Sequence, residues 1–194
     1  MDIVNRSVRK TRSVIQNTFL ALVCEKPYYK ITVSEIAERA DINRSTFYLH
    51  YNDVYDLLNC IKNSILGSVN DAVNNIKREG YVLGEHPQHV AVFEVLNENR
   101  KACECLLSDN GDIGFLRELE ECITEALCCG WSRYGECKTD PKIRMYATYI
   151  AFGIIGIFSS QIYQGKDQSP EDMGYFAGEV TSWIDESFVR HKEE

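Results

Sequence analysis

The chain has 194 residues, 44% hydrophobic and 26% charged, with 29 acidic against 21 basic side chains and a formal net charge of −8. The length allows one or two domains with a real core, the apolar fraction excludes a disordered chain, and the acidic balance excludes binding nucleic acid through bulk charge. The charge is uneven: residues 1–56 hold 8 basic and 7 acidic side chains (net +1), which leaves 13 and 22 (net −9) for residues 57–194.

Arg6, Arg9, Lys10 and Arg12 open the chain and lead into an amphipathic stretch instead of a short apolar one, so no secretory pattern is read. Residues 7–24 set Val8, Arg12, Ile15, Phe19 and Leu22 three or four apart and predict a helix closed by Pro27. Thr32-Val33-Ser34-Glu35 spells a capping box and opens a short helix with Ile36, Ala37 and Ala40 on its apolar face. Asp41-Ile42-Asn43 is a tight turn, with Asn43 expected to cap a second short helix over 44–50. Asp53 caps a long helix of about 54–79, ending at Gly80. Pro87 starts the next, with Val90, Phe93, Leu96 and Asn97 at helical spacing. Residues 98–108 fit another before the turn Ser108-Asp109-Asn110-Gly111, and 113–134 carry an apolar face from Leu116 to Trp131. Asp140-Pro141 opens an apolar helix to about Gln164, and Ser169-Pro170 opens the last, with Phe176, Val180, Trp183, Ile184 and Phe188 on one side. No segment alternates with period two long enough to demand a strand. The expected fold is all-α, with about nine helices.

Enzymatic chemistry finds no footing. No nucleophile–base pair or phosphate loop is visible, and His50 has no acid or nucleophile beside it in sequence. The eight cysteines include no C-x-x-C pair, and His86 and His89 flank Pro87 without a carboxylate pair nearby, so neither metal nor cofactor is expected. The cysteines are expected to be reduced cytosolic thiols, with Cys103, Cys105 and Cys122 the positions at which oxidation could be sensed. Residues 145–163 run 19 positions without a charge, near the length a bilayer requires. The flanking soluble helices favour a helix buried on two sides instead, once in its own domain and once against a partner.

The informative stretch is 31–58: a capped short helix, a three-residue turn, and a second short helix beginning Arg44-Ser45-Thr46. That is the layout of a helix-turn-helix, whose second helix lies in the major groove. Ile36, Ala37, Ala40, Ile42 and Phe47 can form the small core that sets the angle between the helices. Asp41 stands where the turn needs a residue tolerant of positive φ. Arg44, Ser45, Thr46, Tyr48, Leu49 and His50 are left on or near the exposed face. Across residues 8–58 the sequence resembles the TetR family of bacterial transcriptional regulators. The likeness rests on Thr32-Val33-Ser34-Glu35-Ile36-Ala37, on Ser45-Thr46-Phe47-Tyr48-Leu49-His50-Tyr51, and on Asp56-Leu57-Leu58. It implies that Thr32 and Ser34 touch phosphates, that the helix from Arg44 to His50 enters the groove, and that Tyr48 and His50 contact phosphate. Asp41 departs from the family's usual glycine, and Val54 stands where many members carry a phosphate-binding lysine.

The resemblance divides the chain into a DNA-binding domain, 1–52, and an effector-binding and dimerisation domain, 53–194. Arg6, Arg9 and Lys10 are expected to add backbone contacts to DNA. A ligand pocket is expected among Phe93, Phe115, Trp131, Tyr134, Tyr146, Tyr149 and Phe152. A dimer interface is expected at Ala151, Ile155, Phe158, Val180, Trp183 and Phe188, as a four-helix bundle between two copies. The implied protein is a cytoplasmic, ligand-responsive repressor that binds a palindromic operator as a homodimer. The alternative is a protein of the same fold that activates, or that acts through protein contacts without operator recognition.

Overall fold

A computed structural model describes residues 2–79, 87–131, 141–165 and 168–190, which form nine α-helices and no strand. In chain order these are α1 (Asp2–Val23), α2 (Val33–Arg39), α3 (Arg44–Tyr48), α4 (Val54–Glu79), α5 (Pro87–Glu98), α6 (Arg100–Leu106), α7 (Ile113–Trp131), α8 (Pro141–Gln164) and α9 (Pro170–Arg190). A 3-10 turn, Tyr28–Lys30, precedes α2. The helices gather into two compact units: Met1–Ser64 with Lys101–Leu116, and Ile65–Arg100 with Arg117–Glu194. The first unit thus runs past residue 52 and takes in the start of α4, α6 from Lys101 onward and the start of α7.

In the first unit, α1 buries Ile15, Phe19, Leu22 and Val23, the helical stripe its spacing dictates, while Val8 near its start stays exposed. Ile36, Ala37, Phe47, Leu57 and Leu58 complete the core around the short helices, joined by Cys103, Cys105, Leu106 and Phe115. A buried ion pair sits among them. Lys62 Nζ donates to Asp112 Oδ2 at 2.7 Å, with the two side chains only 5% and 14% exposed. The second oxygen of Asp112 accepts from Gly114 N at 3.0 Å, and the Tyr28 N–H donates to the Asn110 carbonyl at 3.0 Å. Gly111 is required where the chain turns here, because a Cβ would stand 2.2 Å from the Leu106 carbonyl oxygen. The turn after α6 is therefore fixed by side-chain charge and by backbone alike.

In the second unit the backbones of α5 and α9 touch. A Cβ on Gly174 would lie 2.6 Å from Val90 Cα, so only glycine permits this approach. Phe93 and Leu96 of α5, Leu119 and Ile123 of α7, and Ala147, Ile154 and Phe158 of α8 are fully or almost fully buried. Arg144 joins α8 to α7 through 2.5 Å hydrogen bonds to Glu121 and Glu125, and these carboxylates hold its guanidinium pKa above the usual value. Among the described residues α8 is the one helix long and apolar enough to cross a membrane. Its Ile143, Ala147, Ile150, Ala151, Ile154, Ile155, Phe158 and Gln161 are buried within the unit.

That burial corrects one expectation. Ala151, Ile155 and Phe158 point inward in the chain's own core, so they are not a surface for a second subunit. The outward face of α8 carries Met145, Tyr149, Phe152 and Tyr163, and that of α9 carries Tyr175, Phe176 and Val180. Val180 alone of the expected interface residues is exposed, while the side chains of Trp183 and Phe188 lie outside the described residues. Other ends match closely: Asp53 Oδ1 accepts from Asp56 N at 2.7 Å, and Ser169 Oγ from Asp172 N at 3.1 Å. Asn43 precedes α3 without the expected side-chain cap bond.

Candidate nucleic-acid interface

The α2–turn–α3 segment is built by a few polar contacts around one aromatic. At its start the Thr32 hydroxyl oxygen accepts from Glu35 N at 3.3 Å, and the Glu35 carboxylate accepts from Thr32 N at 3.0 Å, closing the capping box. Glu35 also receives the Lys26 ammonium. That hydrogen bond first, and those from the Thr32 backbone and hydroxyl next, hold its carboxyl below the usual range. Arg39 grips Glu25 with two hydrogen bonds of 2.7 and 2.6 Å, which lower the Glu25 pKa likewise. Two carboxylates on or beside α2 are thereby neutralised within the chain.

The turn follows the sequence reading closely. Asp41 adopts φ 52°, the one positive-φ non-glycine residue among those described, and Ile42 N donates to the Ala37 carbonyl at 3.0 Å. Phe47 is wholly buried, edge-on to Tyr48 and tilted against Tyr51, each ring centroid 5.7 Å away. With Phe47 pinned inward, the helical period turns Arg44, Ser45, Tyr48 and Leu49 outward. Leu49 is 82% exposed, a large apolar side chain that nothing in the chain covers. Thr46 and His50 are half-buried at the edges of this face, and Thr32 and Ser34 are exposed at the start of α2.

Arg6, Arg9 and Lys10 on α1 are exposed. None of them, nor Arg44, forms an ion pair among the described residues. Arg12 is different, since its guanidinium lies 5.7 Å from the centre of the Tyr51 ring. That cation–π contact ties α1 to the chain just after α3, and helical spacing alone could not reveal it. Burial, the largest cause, raises the Tyr51 pKa above its usual value. Tyr29, 72% exposed, and Lys30 stand just before Thr32, and Tyr55 is exposed at the start of α4; the sequence reading passed over all three. Their signal was only their position flanking the motif.

The aromatics expected to form one pocket differ in setting. Phe115 is buried in the first unit and Phe93 in the second. Tyr146 is half-buried with the Lys142 ammonium 5.9 Å from its ring centre, and Trp131 and Tyr134 have no described side chains. Tyr149 and Phe152 instead line an open apolar cleft of about 320 Å³ between α8 and α9, with Gly153, Ile157, Phe176 and Val180. One surface therefore holds residues from both the expected pocket and the expected interface.

Residues 20–60 match the model of a family described as bacterial regulatory proteins, tetR family, and residues 86–182, half of the chain, match a transcriptional regulator C-terminal region of the same group. An uncharacterized HTH-type transcriptional regulator of Bacillus subtilis (strain 168), YxbF, is 28% identical over 177 residues, covering 87% of this chain and 43% of that protein. The chain thus spans less than half the length of this curated relative. A TetR transcriptional regulator from Streptococcus agalactiae 2603V shares the fold with TM-score 0.62 at 21% identity, over 92% of this chain and 97% of that one. The fatty acid degradation regulator FadR from Bacillus halodurans does so with TM-score 0.65 at 16% identity, over 89% and 94%.

Proposed function

The chain belongs to the TetR family of bacterial transcriptional regulators, and we propose that it reads a palindromic operator as a homodimer and acts as a ligand-responsive repressor. The observation that carries the reading is the contrast of charges on the first unit. Glu25 and Glu35 are paired internally, whereas Arg44, Arg6, Arg9 and Lys10 stand exposed without an ion pair among the described residues. A phosphate backbone attracts such open cations. In this reading α3 enters the major groove. Arg44 donates to a guanine edge or a phosphate, Leu49 lies against a thymine methyl, and Tyr48, Ser45, Thr46 and His50 with Thr32 and Ser34 hold the backbone. The basic start of α1 adds contacts that fix register without reading sequence. The net −9 of residues 57–194 repels DNA elsewhere.

A five-residue recognition helix specifies a short site, so two copies reading half-sites about one helical turn apart are needed. The outward α8–α9 face, with Tyr149, Phe152, Phe176 and Val180, supplies the apolar surface for a two-fold bundle. An effector bound in residues 53–194 would then favour one separation of the two α3 helices, with a coupling of about 1–3 kcal/mol. The test is to sequence genomic fragments retained by the purified protein and to measure their affinity against salt. A recurrent inverted repeat whose binding weakens steeply with salt is expected. Retention of no common sequence, or binding indifferent to salt, favours action through protein contacts and overturns the reading.

A further inference from the structure

We propose that Cys24 and Cys105 are a hydroperoxide-responsive dithiol that closes to a disulfide, tying the end of α1 to α6 within the first unit. Their Sγ atoms lie 2.6 Å apart although the residues are 81 positions distant in sequence. A disulfide requires about 2.05 Å, so closure needs only a small side-chain adjustment. Cys24 can supply it, since it stands one residue beyond Val23, the last residue of α1. The two thiols have complementary settings: Cys24 is exposed, and Cys105 is 2% exposed.

Those settings order the chemistry. Burial first, and the neighbouring Cys24 next, push the Cys105 thiol up to about 12, so it stays protonated at neutral pH and does not start the reaction. The exposed Cys24 thiolate attacks one oxygen of hydrogen peroxide, the O–O bond breaks, and the departing hydroxide takes a proton to become water. Cys24 is then a sulfenic acid. The Cys105 sulfur, giving up its proton, attacks the Cys24 sulfur, and the hydroxyl leaves as a second water. Two thiols lose two electrons and two protons, and one peroxide becomes two waters.

Cys103 and Cys122 are less suited. Cys103 is wholly buried with its thiol also pushed up to about 12, and at two positions from Cys105 it projects from a different side of α6. The Cys122 thiol, raised by burial to about 11, donates to the Leu66 carbonyl at 3.5 Å. The proposal does not depend on what the first unit binds. Its consequence is mechanical: a staple between α1 and α6 holds the arrangement already present.

The test treats the full reduced chain with equimolar hydrogen peroxide and maps its eight cysteines by thiol labelling and peptide mass. The expected product has two fewer thiols, a Cys24–Cys105 linked peptide pair, reversal by dithiothreitol, and a melting temperature raised by several degrees, as a long closed loop implies. Cys24→Ser, an exposed change that leaves the core intact, should abolish the linked pair and the early thiol loss. Cys105→Ser should leave a Cys24 sulfenic acid that dimedone traps, with circular dichroism confirming its fold. Linkage between other cysteines, equal thiol loss in Cys24→Ser, or Cys24 driven to sulfinic acid while Cys105 stays reduced would overturn the proposal.

Discussion

The α2–turn–α3 segment and the α8–α9 pair are held by opposite means. In the first, polar groups set each angle: a reciprocal cap at Thr32 and Glu35, a left-handed Asp41, and one buried ring at Phe47. In the second, orientation comes from apolar shape, with Gly174 seated on Val90 and two rows of large side chains on α8, one inward and one outward. Polar contacts are directional and saturable, so they leave the outward residues of α3 little choice. Apolar contacts are non-directional, so the face that α8 buries is settled by its neighbours. A surface specified by exclusion suits precise reading, and one left apolar suits association.

The largest expected effect separates the two faces of α8. Ile155→Asp places an unpaired carboxylate at a site 4% exposed and should cost more than about 4 kcal/mol, unfolding the second unit. Phe152→Asp, at a position 51% exposed, should keep a cooperative melt and abolish the self-association proposed for this face. Thermal melts and light scattering read both. A cooperative, native-like melt for Ile155→Asp would show that the faces are exchanged.

Next comes the buried Lys62–Asp112 contact of the first unit. Asp112→Ala breaks the ion pair of a buried lysine and should lower stability by about 3–5 kcal/mol in urea. The double change Lys62→Met with Asp112→Leu should recover most of that loss, since it removes the buried charge together with its carboxylate. If the double variant is as unstable as the single, the anchoring of the turn by Asp112 to Gly114 matters more than the pair.

A smaller effect tests α3 itself. Arg44→Ala should weaken operator binding by about 1–3 kcal/mol, while the melting temperature holds because the side chain is exposed. Tyr48→Phe should weaken binding less, through loss of one hydroxyl. Unchanged binding in both would remove α3 from the groove.

Sequence made the first region legible because its signals are chemical. Thr32 and Glu35 at capping spacing, Asp41 before Ile42, and an aromatic flanked by exposed polar residues admit one geometry. It hid the Arg12–Tyr51 contact and the Cys24–Cys105 pair, which depend on how distant segments pack. For α8 the helix was legible and its orientation was not. Apolar residues occur all round it, so Ala151, Ile155 and Phe158 looked as fit for an interface as Tyr149 and Phe152. The same ambiguity gathered Phe93, Phe115, Tyr146 and Tyr149 into one expected pocket, although Phe93 and Phe115 are wholly buried and Tyr149 is exposed.

The smallest effect concerns a side chain with two possible tasks. The Thr32 hydroxyl caps α2 and also donates to Glu35 Oε2 at 3.0 Å, so its hydrogen is committed within the chain. A phosphate oxygen could claim it only by displacing that carboxylate, whereas Ser34, exposed two residues on, is not engaged in the cap. Thr32→Ala should therefore lower stability by about 1 kcal/mol through the lost cap, and binding should fall only as far as α2 frays. Ser34→Ala should leave stability intact and weaken operator and random DNA alike, as a backbone contact does. Chemical denaturation paired with binding at two salt concentrations distinguishes the roles. A Thr32→Ala protein that keeps its stability but loses affinity would make Thr32 a direct phosphate ligand and its cap incidental.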